Sequence, residues 1–90
     1  MNLKRARAKI DKADTKMLKA ISKRMKVIPF VAEYKKANGI ARYQPDRENI
    51  VIESRKKIAE GFSMNPDLAE KIMKLIIEDA HRIEKEILGE

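Results

Sequence analysis

The 90-residue chain has no cysteine and no tryptophan, and aromatic residues make up only 4% of it. Without cysteine there are no disulfide staples and no thiolate metal sites, and the redox compartment is left open. Glycine and proline number three each. That leaves no glycine-rich phosphate loop, and there is no internal repeat or low-complexity stretch. The one histidine, His81, has no His–x–x–x–His partner, so no metal site is expected. No Ser–His–Asp arrangement is suggested either, and His81 reads as a surface residue of a helix. No apolar run approaches the ~20 residues of a membrane span. Met1 to Ile10 is basic but lacks the continuous apolar stretch of a signal peptide, so the cytoplasm is the expected compartment.

What is present points to packed helices. Hydrophobic residues are 43% and charged residues 39%, a globular balance. The apolar set is Ile, Leu, Val, Ala and Met. The expectation is a single domain over residues 1–90. A lone helical chain of this size buries a modest core and is marginally stable, and dimerisation commonly remedies that. The net charge of +7 favours an anionic partner. It does not choose among nucleic acid, phosphate, a membrane surface and a small polycarboxylate.

The periodicity predicts an all-α chain of three helices, at about 3–37, 45–60 and 66–88. Leu3, Ala6, Ile10, Ala13, Met17 and Ala20 alternate in steps of three and four, and Val27, Val31 and Tyr34 continue the stripe. A helix of that length is ~50 Å long, too long for a compact chain of this size, so a second chain must cover much of it. Asn38-Gly39 supplies a stop. Pro29 lies inside the pattern and removes one backbone donor. The apolar register persists across it, which favours a kink over a break into two helices. Pro45 suits the start of the second helix, with Asp46 and Glu48 at its positive end, and Gly61 its close. Asn65 is the N-cap of the third, with Pro66 behind it. Leu68, Ile72, Leu75, Ile76 and Ile83 form its apolar face.

Two groups of charges stand out on the first helix. Lys9, Lys12, Lys16, Lys19, Lys23 and Lys26 form one basic stripe. A solvated outer face is the plain reading; a phosphate-binding surface is the alternative, though no aromatics are interleaved. Arg24 occupies a position where the seam calls for an apolar residue. An unpaired buried charge is costly, so it requires an anion. That anion is either Asp14 or a glutamate in a salt bridge, or a ligand carboxylate. Lys35 lies eleven residues on, within ~20° of the same face. Arg7 lies seventeen residues before Arg24, ~100° around the helix and at its far end. If it serves a site, that site is not the one Arg24 serves on the same chain; in an antiparallel dimer it can reach the partner's.

These positions resemble the all-α chorismate mutase family. The matching stretches are Arg7-Ala8-Lys9-Ile10-Asp11 with Asp14, then Arg24, then Val31-Ala32-Glu33-Tyr34-Lys35, then Pro45-Asp46-Arg47-Glu48, then Ile76-Ile77-Glu78-Asp79 leading to Glu84. The resemblance implies an intertwined homodimer of three-helix chains, with Arg7 contributed to the partner's site. It implies chorismate, a dianion, as substrate and prephenate as product, with no cofactor, no metal and no membrane. Arg24 resembles the carboxylate-binding arginine, Lys35 the lysine at the ether oxygen, and Glu48 the residue that binds the hydroxyl, with Arg47 in support.

Three positions depart from the family pattern. Gln44 stands where many members have Asp in a contact made largely through the backbone. Ala80 stands where a Ser often assists the ring carboxylate. Glu84 stands where many bacterial members have Gln. An ionised Glu84 would repel the oxygen that gains negative charge, so it must carry a proton to donate. Burial favours the neutral acid and a nearby Lys35 the anion. Three other functions share parts of this pattern: an isochorismate pyruvate lyase of the same fold, a basic helical nucleic-acid-binding protein, and an inactive paralogue.

Overall fold

The computed structural model describes residues 1–90, in three helices joined by short connections: α1 (Leu3–Asn38), α2 (Pro45–Gly61) and α3 (Pro66–Leu88). Local capping chemistry sets their ends. The side chain of Asn2 accepts from the Arg5 amide at 2.9 Å, satisfying one of the orphan donors of the first turn. Gly39 closes α1 in the left-handed region at φ 63°, a conformation glycine adopts without steric cost. Pro45 and Pro66 occupy first-turn positions, where the missing amide costs nothing. The Asn65 side chain accepts from the Asp67 amide at 3.0 Å. Gly61 is the last residue of α2, and the left-handed turn beyond it falls on Ser63 at φ 56°.

α1 runs unbroken through Pro29, so the two-helix alternative is set aside. Pro29 forfeits one ladder bond, and Ile28 and Ala32 on either side of it are buried. α3 lies between the other two, packed on α1 and on α2. The contact is made largely through small side chains: Ala32 on α1, Ala59 on α2, and Ala69 and Ala80 on α3 are buried beside Ile28 and Val51. Small residues at a helix crossing let the axes approach closely.

Two neighbouring stripes on α1 have different fates. Arg24, Ile28, Ala32 and Lys35, at steps of four, four and three, face α3 and are buried or half-buried. Of the seam residues beside them, Val27 and Tyr34 are more than half exposed, while Val31 is half-buried. On α3, Leu68 and Leu75 of the expected apolar face are also outside, while Ile72, Ile76 and Ile83 are half-buried. Only 7 of 90 residues are buried within the single chain, and no large side chain is fully enclosed. The molecule measures 55 × 22 × 15 Å, a rod with its N-terminal end unsupported.

Candidate active site

Where the C-terminal half of α1, the first half of α2 and the C-terminal half of α3 converge, they leave a cavity of about 240 Å³. Its walls include Arg24, Lys35, Gln44, Arg47, Glu48, Ala80 and Glu84, with an apolar lining of Ile28, Val31, Val51 and Ile77. The site residues expected from one chain are therefore brought together. Arg7 is not among them. It is exposed, in the part of α1 that touches neither other helix.

Glu84 is buried to 5% exposure. Its Oε2 accepts from Lys35 Nζ at 3.0 Å, and the same ammonium donates to the Arg42 carbonyl at 2.9 Å. An ammonium has three donors, so one N–H of Lys35 stays uncommitted. Ala80 is also buried, one turn before Glu84, and its methyl forms part of the wall. Gln44 caps α2 without a side-chain bond, and Arg47 behind it is exposed.

Arg24 has no anionic partner. The salt bridge to Asp14 or a glutamate, one of the two options for it, does not form: Asp14 is solvent-exposed nearly three turns away on the same helix. Instead Arg24 is half-buried, and its Nη1 is shut off from solvent with no hydrogen-bond partner. Its pKa is held below the usual arginine value by desolvation first, then by the positive charges of Arg55 and Arg47. A cation left desolvated beside other cations is unfavourable in the free protein. It becomes favourable when an anion enters.

His81 corrects the sequence reading. It is not a surface residue but part of the cavity wall. Its Nε2 lies 2.8 Å from Glu48 Oε2 and its Nδ1 lies 2.6 Å from Arg42 Nη1. Arg42 also donates through Nε to Glu90 Oε2 at 2.6 Å. Neither Arg42 nor His81 carried a signal in the sequence, because the pairs join residues 33 and 39 positions apart. A wider groove of about 730 Å³ adjoins the cavity and shares Arg42, Glu48, Ile77 and His81 with it. Its remaining lining mixes Lys74, Arg82 and Lys85 with Glu78, Glu86 and Glu90, so it has no charge bias toward one ligand.

The cavity thus presents four permanent cations and two carboxylates, in a chain whose family model, chorismate mutase type II, matches residues 6–85. The chain belongs to the type II chorismate mutase family. Over 84 residues it is 32% identical to the chorismate mutase of Methanocaldococcus jannaschii, covering 93% of this chain and 85% of that one. It is 31% identical over 80 residues to the T-protein of Enterobacter agglomerans, covering 89% of this chain but 21% of the relative. The T-protein of Haemophilus influenzae is 26% identical over 84 residues, with 93% and 22% covered. The chain spans about a fifth of the T-proteins and most of the Methanocaldococcus jannaschii chorismate mutase. For a member of the chorismate mutase family, then, the matched region takes in the cavity's α1, α2 and α3 residues up to Glu84.

Proposed function

We propose that a homodimer of this chain catalyses the [3,3] rearrangement of chorismate to prephenate in the cavity between its helices. The observation that carries this reading is Arg24, a desolvated guanidinium with no partner inside a cavity whose cations outnumber its carboxylates by two. A dianion of small size supplies the missing charge. Membership of the chorismate mutase family supplies its chemical identity.

The residues then divide the work. Arg24 and Arg47 carry no ion pair within the chain and clamp the substrate carboxylates, a task suited to the planar guanidinium. The uncommitted N–H of Lys35 reaches the ether oxygen, and its other two bonds, to Glu84 and the Arg42 carbonyl, hold it there. Glu48 takes the substrate hydroxyl. Gln44 acts through its backbone, and Ala80 shapes the wall without a polar contact of its own. Glu84 is the second donor to the ether oxygen when it carries a proton.

The rearrangement is concerted: the C–O bond breaks as the new C–C bond forms, and no group of the protein is consumed. Rate enhancement comes from holding the compact conformer with the reacting carbons close. It comes also from donors aimed at the oxygen that gains negative charge, where one donor is worth ~3 kcal/mol, on the order of 100-fold in rate.

Arg7 completes the site from the partner chain. Supporting this are the exposed Leu3, Ile10, Met17 and Leu18 in the unsupported half of α1. A second copy of the chain would cover them, and buried apolar area is the main driving force of association. The deciding experiment follows the loss of chorismate absorbance with chromatographic identification of the product, alongside isochorismate. Prephenate from chorismate supports the reading. Release of pyruvate from isochorismate, with chorismate untouched, would replace it with the lyase.

A further inference from the structure

The chain has one histidine, and nothing in the rearrangement calls for an imidazole. His81 nevertheless stands on the cavity wall, one residue past buried Ala80. Its ring is set between charged side chains from two other elements. Arg42, in the α1–α2 connection, reaches Nδ1, and Glu48, in the first turn of α2, reaches Nε2. Arg42 is itself tied to Glu90 beyond the end of α3, and Tyr43 lies tilted across the imidazole with ring centroids 6.0 Å apart.

Donor chemistry decides where the ring proton resides. A guanidinium only donates. Arg42 therefore donates to Nδ1, which presents its lone pair, and the ring proton sits on Nε2. From there it is donated to the Glu48 carboxylate. An Nδ1–H tautomer or an imidazolium would turn a hydrogen toward the Arg42 donor. Glu48 has no other side-chain partner in the chain, so this single bond orients its carboxylate.

We propose that His81 is a positioning residue: Arg42 fixes it as the neutral Nε2–H tautomer, and that proton holds Glu48 Oε2, leaving Oε1 for the substrate hydroxyl. The proposal rests on the mutase reading, in which Glu48 receives that hydroxyl. It adds a residue that acts through Glu48 rather than on the substrate, and it gives Arg42 a role outside the substrate clamp.

The sole histidine makes the test direct, because histidine-labelled protein yields only two ring-nitrogen signals in nitrogen-15 NMR. The expected spectrum is that of the neutral Nε2–H form, and Arg42→Ala should release the constraint and mix the tautomers. In kinetics, His81→Phe keeps a ring and removes the donor. It should lower kcat/KM by about tenfold, the equivalent of one hydrogen bond. His81→Gln, whose amide N–H reaches to the Nε2 position, should restore most of it. In a Glu48→Ala background, His81→Phe should cost nothing more. An Nδ1–H or charged ring in the wild-type spectrum overturns the proposal. So does an undiminished His81→Phe loss in the Glu48→Ala background, or Gln behaving like Phe. A wild type that leaves chorismate untouched defeats the mutase reading and with it any role in turnover, while the tautomer stands or falls on the spectrum alone.

Discussion

The two halves of α1 share one helix, one backbone geometry and the same spacing of apolar residues, yet they live in different surroundings. From Leu3 to Ala20 every residue is exposed except Ala6, which is half-buried. From Ile21 to Asn38 the helix lies against α3, buries Ile28 and Ala32, half-buries Arg24 and Lys35, and ends in a glycine cap. The packed half brings its cations to a cavity that one chain builds for itself. The open half holds Arg7 and an apolar stripe with nothing to cover it. Amphipathic pattern, then, says that a face will be covered; it does not say by which chain.

The sharpest way to test this division is to remove one cation from each half. Arg24→Ala or Lys35→Ala should lower kcat/KM on the order of 10²–10³-fold in the chorismate assay. Arg24→Ala should leave the thermal midpoint unchanged or raise it, because the free protein holds that guanidinium desolvated and unpartnered. A clear fall in the midpoint would mean that Arg24 supports the fold rather than a ligand.

In the open half, Arg7→Ala should cost on the order of 100-fold without altering sedimentation. Ile10→Glu should cost as much by splitting the dimer, seen as a halved mass in sedimentation. Mixing and reannealing Arg7→Ala with Arg24→Ala chains makes the comparison quantitative. If Arg7 serves the partner's site, half of the dimers are mixed and carry one intact site each, so activity returns to about a quarter of wild type. No recovery would place both arginines in one chain's site.

A smaller effect concerns the carboxylate between the helices. Glu84→Gln keeps a hydrogen-bonding amide at the cavity wall and Glu84→Ala removes it, so Gln should hold kcat/KM within a few-fold while Ala lowers it by about tenfold. Equal kcat/KM for Glu84→Ala and wild type would remove Glu84 from the chemistry. The smallest effect belongs to the basic stripe. Replacing Lys9, Lys16 and Lys23 by Gln should change kcat/KM by less than about twofold, as for exposed side chains away from any partner. A large loss there would make the stripe part of substrate capture.

Most helix ends were readable because they rest on local chemistry: Asn65 as a cap, Pro45 and Pro66 in first turns, Gly39 as a left-handed stop; the Asn2 cap of α1 was not read from the sequence. That Arg24 and Lys35 share a face was readable from spacing along α1, and their meeting with Glu48 and Glu84 only from the family resemblance. What spacing did not convey was rotation. The stripe that faces α3 runs through Ile28 and Ala32, one residue round from the seam of Val27 and Val31, and the choice depends on where Ala69 and Ala80 allow close approach. Nor did it convey Arg42 and His81. Their partners lie on other elements, and a lone histidine on a helix has the same local pattern whether it meets water or a carboxylate.

The continuity of α1 from Leu3 to Asn38 makes the helix a ruler. Arg7 and Arg24 stand seventeen residues apart, ~25 Å along one rigid axis. A single residue inserted between them, at Ala13 for instance, would delete no side chain and yet swing Arg7 through ~100° relative to Arg24. Insertion of seven would bring the phase back to within ~20° but overshoot by ~10 Å. If Arg7 serves the partner's site, length changes that a surface loop would absorb are here changes to the geometry between Arg7 and Arg24.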